Sequence, residues 1–250
     1  MTTEGRGLVT QKRYTILTVN QERPTEADEA AAPTAFASEA DRVAHAVRDQ
    51  IIDGTRAPGA RLVERDIAAE LAVSRIPVRD ALRQLTAEGL VTPRPRTWAV
   101  VRTFTDADVE DLLEVRSAVE TLTFRLAADR GSDEQLAVLG EQLQEERVAA
   151  AAGDARRARA AGADFHETVV SMARNTVLSE WYATTRSRMR WLLGQHTALA
   201  EMAEEHAALY RALADHDSDR AGALAAAHLV TSRRALADTR RRGASPGAAR

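Results

Sequence analysis

Apolar positions between residues 41 and 90 recur at the spacing of short helices. Val43, Val47 and Ile51 share one face with Gln50, and the run stops at Asp53-Gly54, ahead of the turn Ala57-Pro58-Gly59. After Leu62-Val63 a second short helix carries Ile67, Ala68 and Leu71. Ala72-Val73 then turns the chain, and Ser74 is placed to cap a third helix reaching about Gly89, with Pro77 tolerated in its first turn. Leu90-Val91-Thr92 and Trp98-Ala99-Val100-Val101 flank the basic loop Pro93 to Thr97, which predicts two short strands forming a β-wing. Beyond Phe104 strand signals cease. Thr105-x-x-Asp108 and Ser132-x-x-Gln135 open helices, breaks follow near Gly153-Asp154, Asn175 and Asp215 to Asp217, and about six helices end near Arg240. The pattern predicts a mainly α chain in two folded parts, a winged helix-turn-helix over 39–103 and an antiparallel helical bundle over 104–240. A disordered arm (1–38) and a disordered tail (241–250) are expected to flank them.

Composition narrows this picture. Hydrophobic residues make up 44% of the chain and aromatics only 4%, which suits Ala-rich helices and excludes an all-β fold. The formal net charge of -3 excludes a binder that is basic throughout, so contact with nucleic acid must come from a local cluster. There is no Cys, which excludes disulfides and thiolate metal sites. The longest early apolar run, Ile16 to Val19, is too short for a signal-peptide core, and no later segment is long enough to span a membrane. A cytoplasmic location is expected.

The local cluster lies on the third helix. Ile67, Leu71, Val73, Val78 and Ala81 fall where a helix-turn-helix buries side chains, while Ser74, Arg75, Arg79 and Arg83 line the opposite face. Arg94 and Arg96 add charge to the wing. On an isolated helix such arginines are a solvated face. Beside a compatible turn, a cap and a basic wing they point to double-stranded DNA, whose guanine edges and phosphates Arg binds bidentately. The run Leu71-Ala72-Val73-Ser74-Arg75-Ile76-Pro77-Val78-Arg79-Asp80-Ala81-Leu82-Arg83-Gln84-Leu85, followed by Glu88-Gly89-Leu90-Val91, resembles the signature of the GntR family of repressors. The resemblance implies that Arg65, Arg75 and Arg79 contact an operator and that the wing tip enters the minor groove. That tip usually contains Gly in the family, and here Thr97 takes the position.

In the helical part, His166, His206 and His228 each lie on an apolar stripe of a different predicted helix and so point inward. One such histidine is ordinarily a hydrogen-bonded core residue. Three together form a ligand set for Zn²⁺ or another borderline divalent metal. Arg116 and Glu120 form an i, i+4 pair next to the buried face of Val115, Val119 and Leu122. Asp164-Phe165-His166, with Asn175 downstream, Glu205-His206 and Ala227-His228-Leu229, is similar to the FCD domain of the FadR subfamily in its six-helix, VanR-like form. That resemblance implies a metal held by three His and by an Asp one helical turn before the first of them. Here that position is Gly162. It also implies that Arg116 clamps an effector carboxylate, with Asn175 nearby. The expected function is a homodimeric repressor of a metabolic operon, reading a dyad-symmetric operator and answering to a small organic acid. The competing reading, a metal-dependent hydrolase using the three His, lacks a general base of the HExxH kind.

Overall fold

The structure is a computed structural model that describes residues 38–94 and 98–244. The first part of the chain folds as α1 (Glu39–Ile52), β1 (Arg61–Val63), α2 (Glu64–Glu70), α3 (Arg75–Ala87), β2 (Val91–Pro93) and β3 (Trp98–Val101). A capping box between Ser38 and Asp41 starts α1. Its buried stripe Val43, Val47 and Ile51 joins Val78, Ala81 and Leu85 of α3 in one core. The sheet has the order β1-β3-β2, antiparallel throughout, with Leu62 opposite Ala99 and Thr92 opposite Val100. Strand β1 is a feature the sequence pattern does not show. It has three residues, of which only Leu62 is fully buried, too short for alternation to register.

The turn between α2 and α3 puts Ala72 at φ 53. A Cβ in the left-handed region costs roughly 1–2 kcal/mol, and the surrounding helices impose it because Val73 N must reach the Ala68 carbonyl at 3.0 Å. At the far end of α3, Gly89 is required twice over. Its φ is +77, and a Cβ there would lie 3.1 Å from Arg188 Cδ.

Six further helices follow: α4 (Asp106–Arg130), α5 (Asp133–Ala151), α6 (Ala155–Met172), α7 (Thr176–Leu193), α8 (Leu199–Ala214) and α9 (Ser218–Ala244). The predicted capping boxes Thr105/Asp108 and Ser132/Gln135 open α4 and α5. Helix α9 continues past Arg240, where the sequence pattern ends it. Helix α4 packs along α9, and α5 packs along α6 and α8. Phe124, Phe165, Leu139, Met172, Leu209 and Leu213 fill the distal half of the bundle.

The near half shares its core with the first domain. Val101, Leu90 and Phe104 pack in one cluster with Val109, Leu113, Trp191, Leu192 and Leu236, and Phe104 stacks on Trp191 with ring centroids 3.9 Å apart. Glu88, at the C-terminal end of α3, accepts from Arg48 of α1 at 2.8 and 2.5 Å and from Ser187 Oγ of α7 at 2.6 Å. The end of α3 is therefore fastened to the helical domain by both apolar contact and charge.

Candidate functional site

Two groups of side chains carry chemistry. The first lines α2 and α3. Pro77, Val78, Ala81, Leu82 and Leu85 turn inward, which forces Arg75, Arg79 and Arg83 outward. Glu64, at the start of α2 and almost fully buried, accepts from Arg79 Nε and Nη2 at 2.9 Å each and from Arg75 Nη2 at 3.4 Å. The hydrogen bond from Arg79 outweighs burial and holds the Glu64 carboxyl below its usual range, so at neutral pH it is an ionised anchor for two guanidinium groups. Arg65 pairs with Asp66 and Arg83 with Asp80, both at the surface. Side-chain exposure is 81% for Arg65, 55% for Arg75, 49% for Arg79 and 72% for Arg83. None of the four is sequestered in the protein's body.

Ser74 occupies the N-cap position of α3, but its side chain makes no capping bond. The reason is Pro77. A capping hydroxyl bonds the amide of the second or third helical residue, and the third here has no N–H. The exposed Ser74 hydroxyl and the free amides of the first turn thus remain available to a phosphate. Arg94 is exposed at the foot of the wing. Arg96 and Thr97 lie outside the described residues.

The second group is buried in the bundle. His166 on α6, His206 on α8 and His228 on α9 are each almost fully buried, and one nitrogen from each lies within 4.8 Å of the others. Each Nδ1 faces a carboxylate: His166 to Glu120 at 3.2 Å, His206 to Glu146 at 2.7 Å and His228 to Glu205 at 2.7 Å. A carboxylate can only accept, so each Nδ1 carries a proton, and the Nε2 atoms of His166 and His228, which face the donor-only Arg116 Nη2, present lone pairs. Burial pushes His166 and His228 below the usual histidine range, which keeps them neutral. Arg116 is 1% exposed. Its Nη1 donates to Ser232 Oγ at 2.8 Å, and its Nη2 lies 3.5 Å from His166 Nε2 and 3.3 Å from His228 Nε2. Its Nε forms an ion pair with Glu120 at 2.9 Å. Burial opposes charge on Glu120, but Arg116 and His166 outweigh it and hold that carboxyl far below its usual range. Phe165 stacks on His206 with centroids 4.7 Å apart and fixes its ring plane.

These residues fit a divalent cation. Three imidazoles with carboxylates behind them are the donor set and orienting groups of a zinc-type centre, and His206 Nε2 is buried with no hydrogen-bond partner. A buried acceptor left without a donor is costly, and a cation would relieve it.

Comparison with known proteins settles what such a chain is. Residues 39–101 match the model described as "Bacterial regulatory proteins, gntR family", and residues 111–231 match the FCD domain. The Nta operon transcriptional regulator of Aminobacter aminovorans is 32% identical over 69% of this chain and 82% of that one. The chain belongs to the GntR family. The galactonate operon transcriptional repressor of Escherichia coli is 27% identical over 78% of this chain and 96% of that one. A crystal structure of a GntR transcriptional regulator from Rhodococcus sp. RHA1 superposes with a TM-score of 0.68 at 29% identity, covering 83% of this chain and 99% of that one. The mainly α architecture, with a winged helix-turn-helix ahead of an FCD bundle, is that of the family. The protein is a DNA-binding transcriptional regulator and not an enzyme. Accordingly Glu167, the acid beside His166, is taken by Arg186 and Arg190 and does not serve as a base.

This GntR protein departs from the expected metal set in an instructive way. A Cβ at Gly162 would lie 2.8 Å from Glu146 Oε1 and 3.5 Å from His206 Cε1. The space an Asp at 162 would need is thus filled by a carboxylate from α5. Asp164 turns away to Arg190, as its two-residue offset from His166 predicts. Asn175 is not brought to the cluster. It is the N-cap of α7, its Oδ1 accepting from Leu178 N at 3.1 Å. Residue order does not single out Glu146, Ser232 or His196, and it shows Glu205 only as the neighbour of His206. Glu146 leaves a trace, as a charge on the buried stripe Leu139, Leu143, Glu146, Ala149. His196 sits in the loop after α7, where no periodicity marks it. It is held by Ser232 Oγ at 2.9 Å, and burial lowers it to about 3. Glu146→Gln is expected to weaken Zn²⁺ binding by about 10- to 100-fold, the usual effect of altering the carboxylate behind a ligating His. Isothermal titration checks this, and unchanged affinity would leave Glu146 with a packing role alone.

Among the described residues no helix is long and apolar enough to cross a membrane.

Proposed function

We propose that this protein is a cytoplasmic repressor of a small-molecule metabolic operon, binding a dyad-symmetric operator as a homodimer and controlled by an organic acid held through a divalent metal. The observation that carries the ligand half of this reading is the convergence of one nitrogen from each of three buried histidines, each imidazole backed by its own carboxylate. Nitrogen donors of this kind favour Zn²⁺ among the abundant divalent ions. When bound, the metal supplies positive charge that attracts a carboxylate oxygen, and it would displace Arg116 Nη2 from His166 and His228, leaving that nitrogen to donate to the same carboxylate. The galactonate repressor's name places an acidic sugar in the physiology of a relative, which suits an acid-sensing cavity.

The DNA half rests on Ser74, Arg75, Arg79 and Arg83 standing outward on α3, with Arg65 and Arg94 flanking them. A homodimer presents two such helices to successive major-groove half-sites. Val115 and Leu122, which the sequence pattern places on a buried face, are instead substantially exposed on α4 while Arg116 beside them is buried, and they form the kind of apolar stripe that a second copy covers. The test combines metal analysis of the purified protein with mobility-shift assays on inverted repeats near its own gene. About one divalent ion per chain and retardation of one repeat over its scrambled counterpart are the expected results. Equal affinity for scrambled duplex would overturn the operator reading.

A further inference from the structure

A cleft of about 330 Å³ separates α1 of the DNA-binding domain from α6 and α7 of the helical domain, a size that accommodates a small metabolite. Its walls carry opposite charge. Asp49 and Asp53 stand on the α1 side, and Arg156, Arg159 and Arg190 stand on the other. Among the described residues no ion pair joins the two walls. Asp49 is matched only with His45, and the Asp53 carboxylate accepts from Thr55 N. Arg190 is already neutralised by Asp164 and Glu167, but among the described residues no carboxylate pairs with Arg156 or Arg159. Arg159 is half-buried, and its Nε donates to the His196 carbonyl at 2.8 Å. Its two Nη groups have no acceptor among the described residues. A partly desolvated guanidinium in that state is a site for an incoming anion. Arg159 and Ala163 also line the small cavity beside His206 and His228, so the cleft adjoins the histidine centre without being part of it. The two walls approach at Ile52 and Gly194, where Ile52 O would lie 3.4 Å from a Cβ on Gly194.

We propose that the Arg156/Arg159 wall is a second anion site, distinct from the three-histidine centre. A small multiply charged anion bearing carboxylate or phosphate groups binds there in competition with Asp49 and Asp53, and so sets the position of the DNA-binding domain. Without the anion the two aspartates are drawn toward these arginines and the cleft closes. With the anion bound, the arginines are satisfied and the aspartates are repelled. Because α1 packs on α3, either state fixes where the recognition helix stands. By linkage, operator binding alters anion affinity by the same factor.

The experiment titrates the full-length protein, dialysed against EDTA, with inorganic phosphate and separately with succinate, at ionic strength matched by chloride. One of the two is expected to bind and raise the melting temperature by a few degrees, and which one does so assigns the anion as phosphate or carboxylate. The double substitution Arg156→Gln, Arg159→Gln should weaken binding at least tenfold, and Asp49→Asn with Asp53→Asn should tighten it severalfold. The cysteine-free chain allows spin labels at Arg42→Cys and Ala152→Cys, and their distance should lengthen on binding. No response beyond chloride to either anion, or unchanged affinity in the arginine variant, overturns the site. Binding with an unchanged label distance overturns its control of the DNA-binding domain. A response that needs the metal restored assigns the anion to the histidine centre instead and also overturns the proposal.

Discussion

Arg79→Ala should abolish the specific mobility-shift band at protein concentrations that fully retard the operator with the native chain, while leaving the melting curve nearly unchanged. A bidentate arginine contact to a base pair is worth about 1–3 kcal/mol, and the proposed homodimer would lose it in both half-sites. Fold is spared because the side chain is half exposed and its partner Glu64 keeps Arg75. Arg79→Lys separates two roles. A lysine retains the charge for phosphate but not the planar fork, so loss of specificity with retained non-specific binding marks a base-reading contact. Specific affinity surviving in Arg79→Ala would remove Arg79 from the interface. Glu64→Gln belongs beside these variants, because it frees two guanidinium groups from one anchor and should lower affinity without removing any DNA contact.

The second large effect concerns the buried centre. His206→Ala removes one of three nitrogen donors, and Zn²⁺ affinity should fall by more than the roughly 10- to 100-fold expected for a carboxylate behind a ligand. The same substitution leaves Glu146, itself buried, without its hydrogen-bond partner, and it deletes the ring stacked on Phe165. A buried polar group left without its hydrogen-bond partner costs about 1–3 kcal/mol, so the metal-free variant should also melt early. Melting with and without metal separates the effects. A metal that binds only the folded chain raises its stability in proportion to the logarithm of its concentration over Kd, and this rise should vanish in His206→Ala. A Zn²⁺-dependent rise equal to that of the native chain would show that the three imidazoles are not the ligands.

Much of this architecture can be read from residue order, for physical reasons that also explain the gaps. Capping boxes announce α4 and α5 because they are local, with donor and acceptor three residues apart. His166, His206 and His228 stand out because a polar ring on an apolar stripe has to point inward. What pairs with them is a matter of tertiary approach. Glu146 reaches His206 across 60 positions, and no periodicity in α5 says which helix it faces. Strand β1 is set by the neighbour it pairs with, not by its own three residues. Ser74 shows the opposite kind of miss, since the residue type suits a cap and the proline three positions later removes the amide that would complete it. Asn175 was associated with the cavity through the family pattern, whereas its side chain is committed to starting α7.

The apolar cluster running unbroken from Val43 and Leu85 through Phe104 to Trp191 and Leu236 makes the reading head and the sensor mechanically one piece. A severed head would expose Leu90, Val101 and Phe104 to water, so the hydrophobic effect opposes any hinge that swings freely between them. Whatever signal arrives in the bundle must therefore travel as a slight rocking of interlocked side chains, amplified by the distance to the groove, with no slack tether to absorb it.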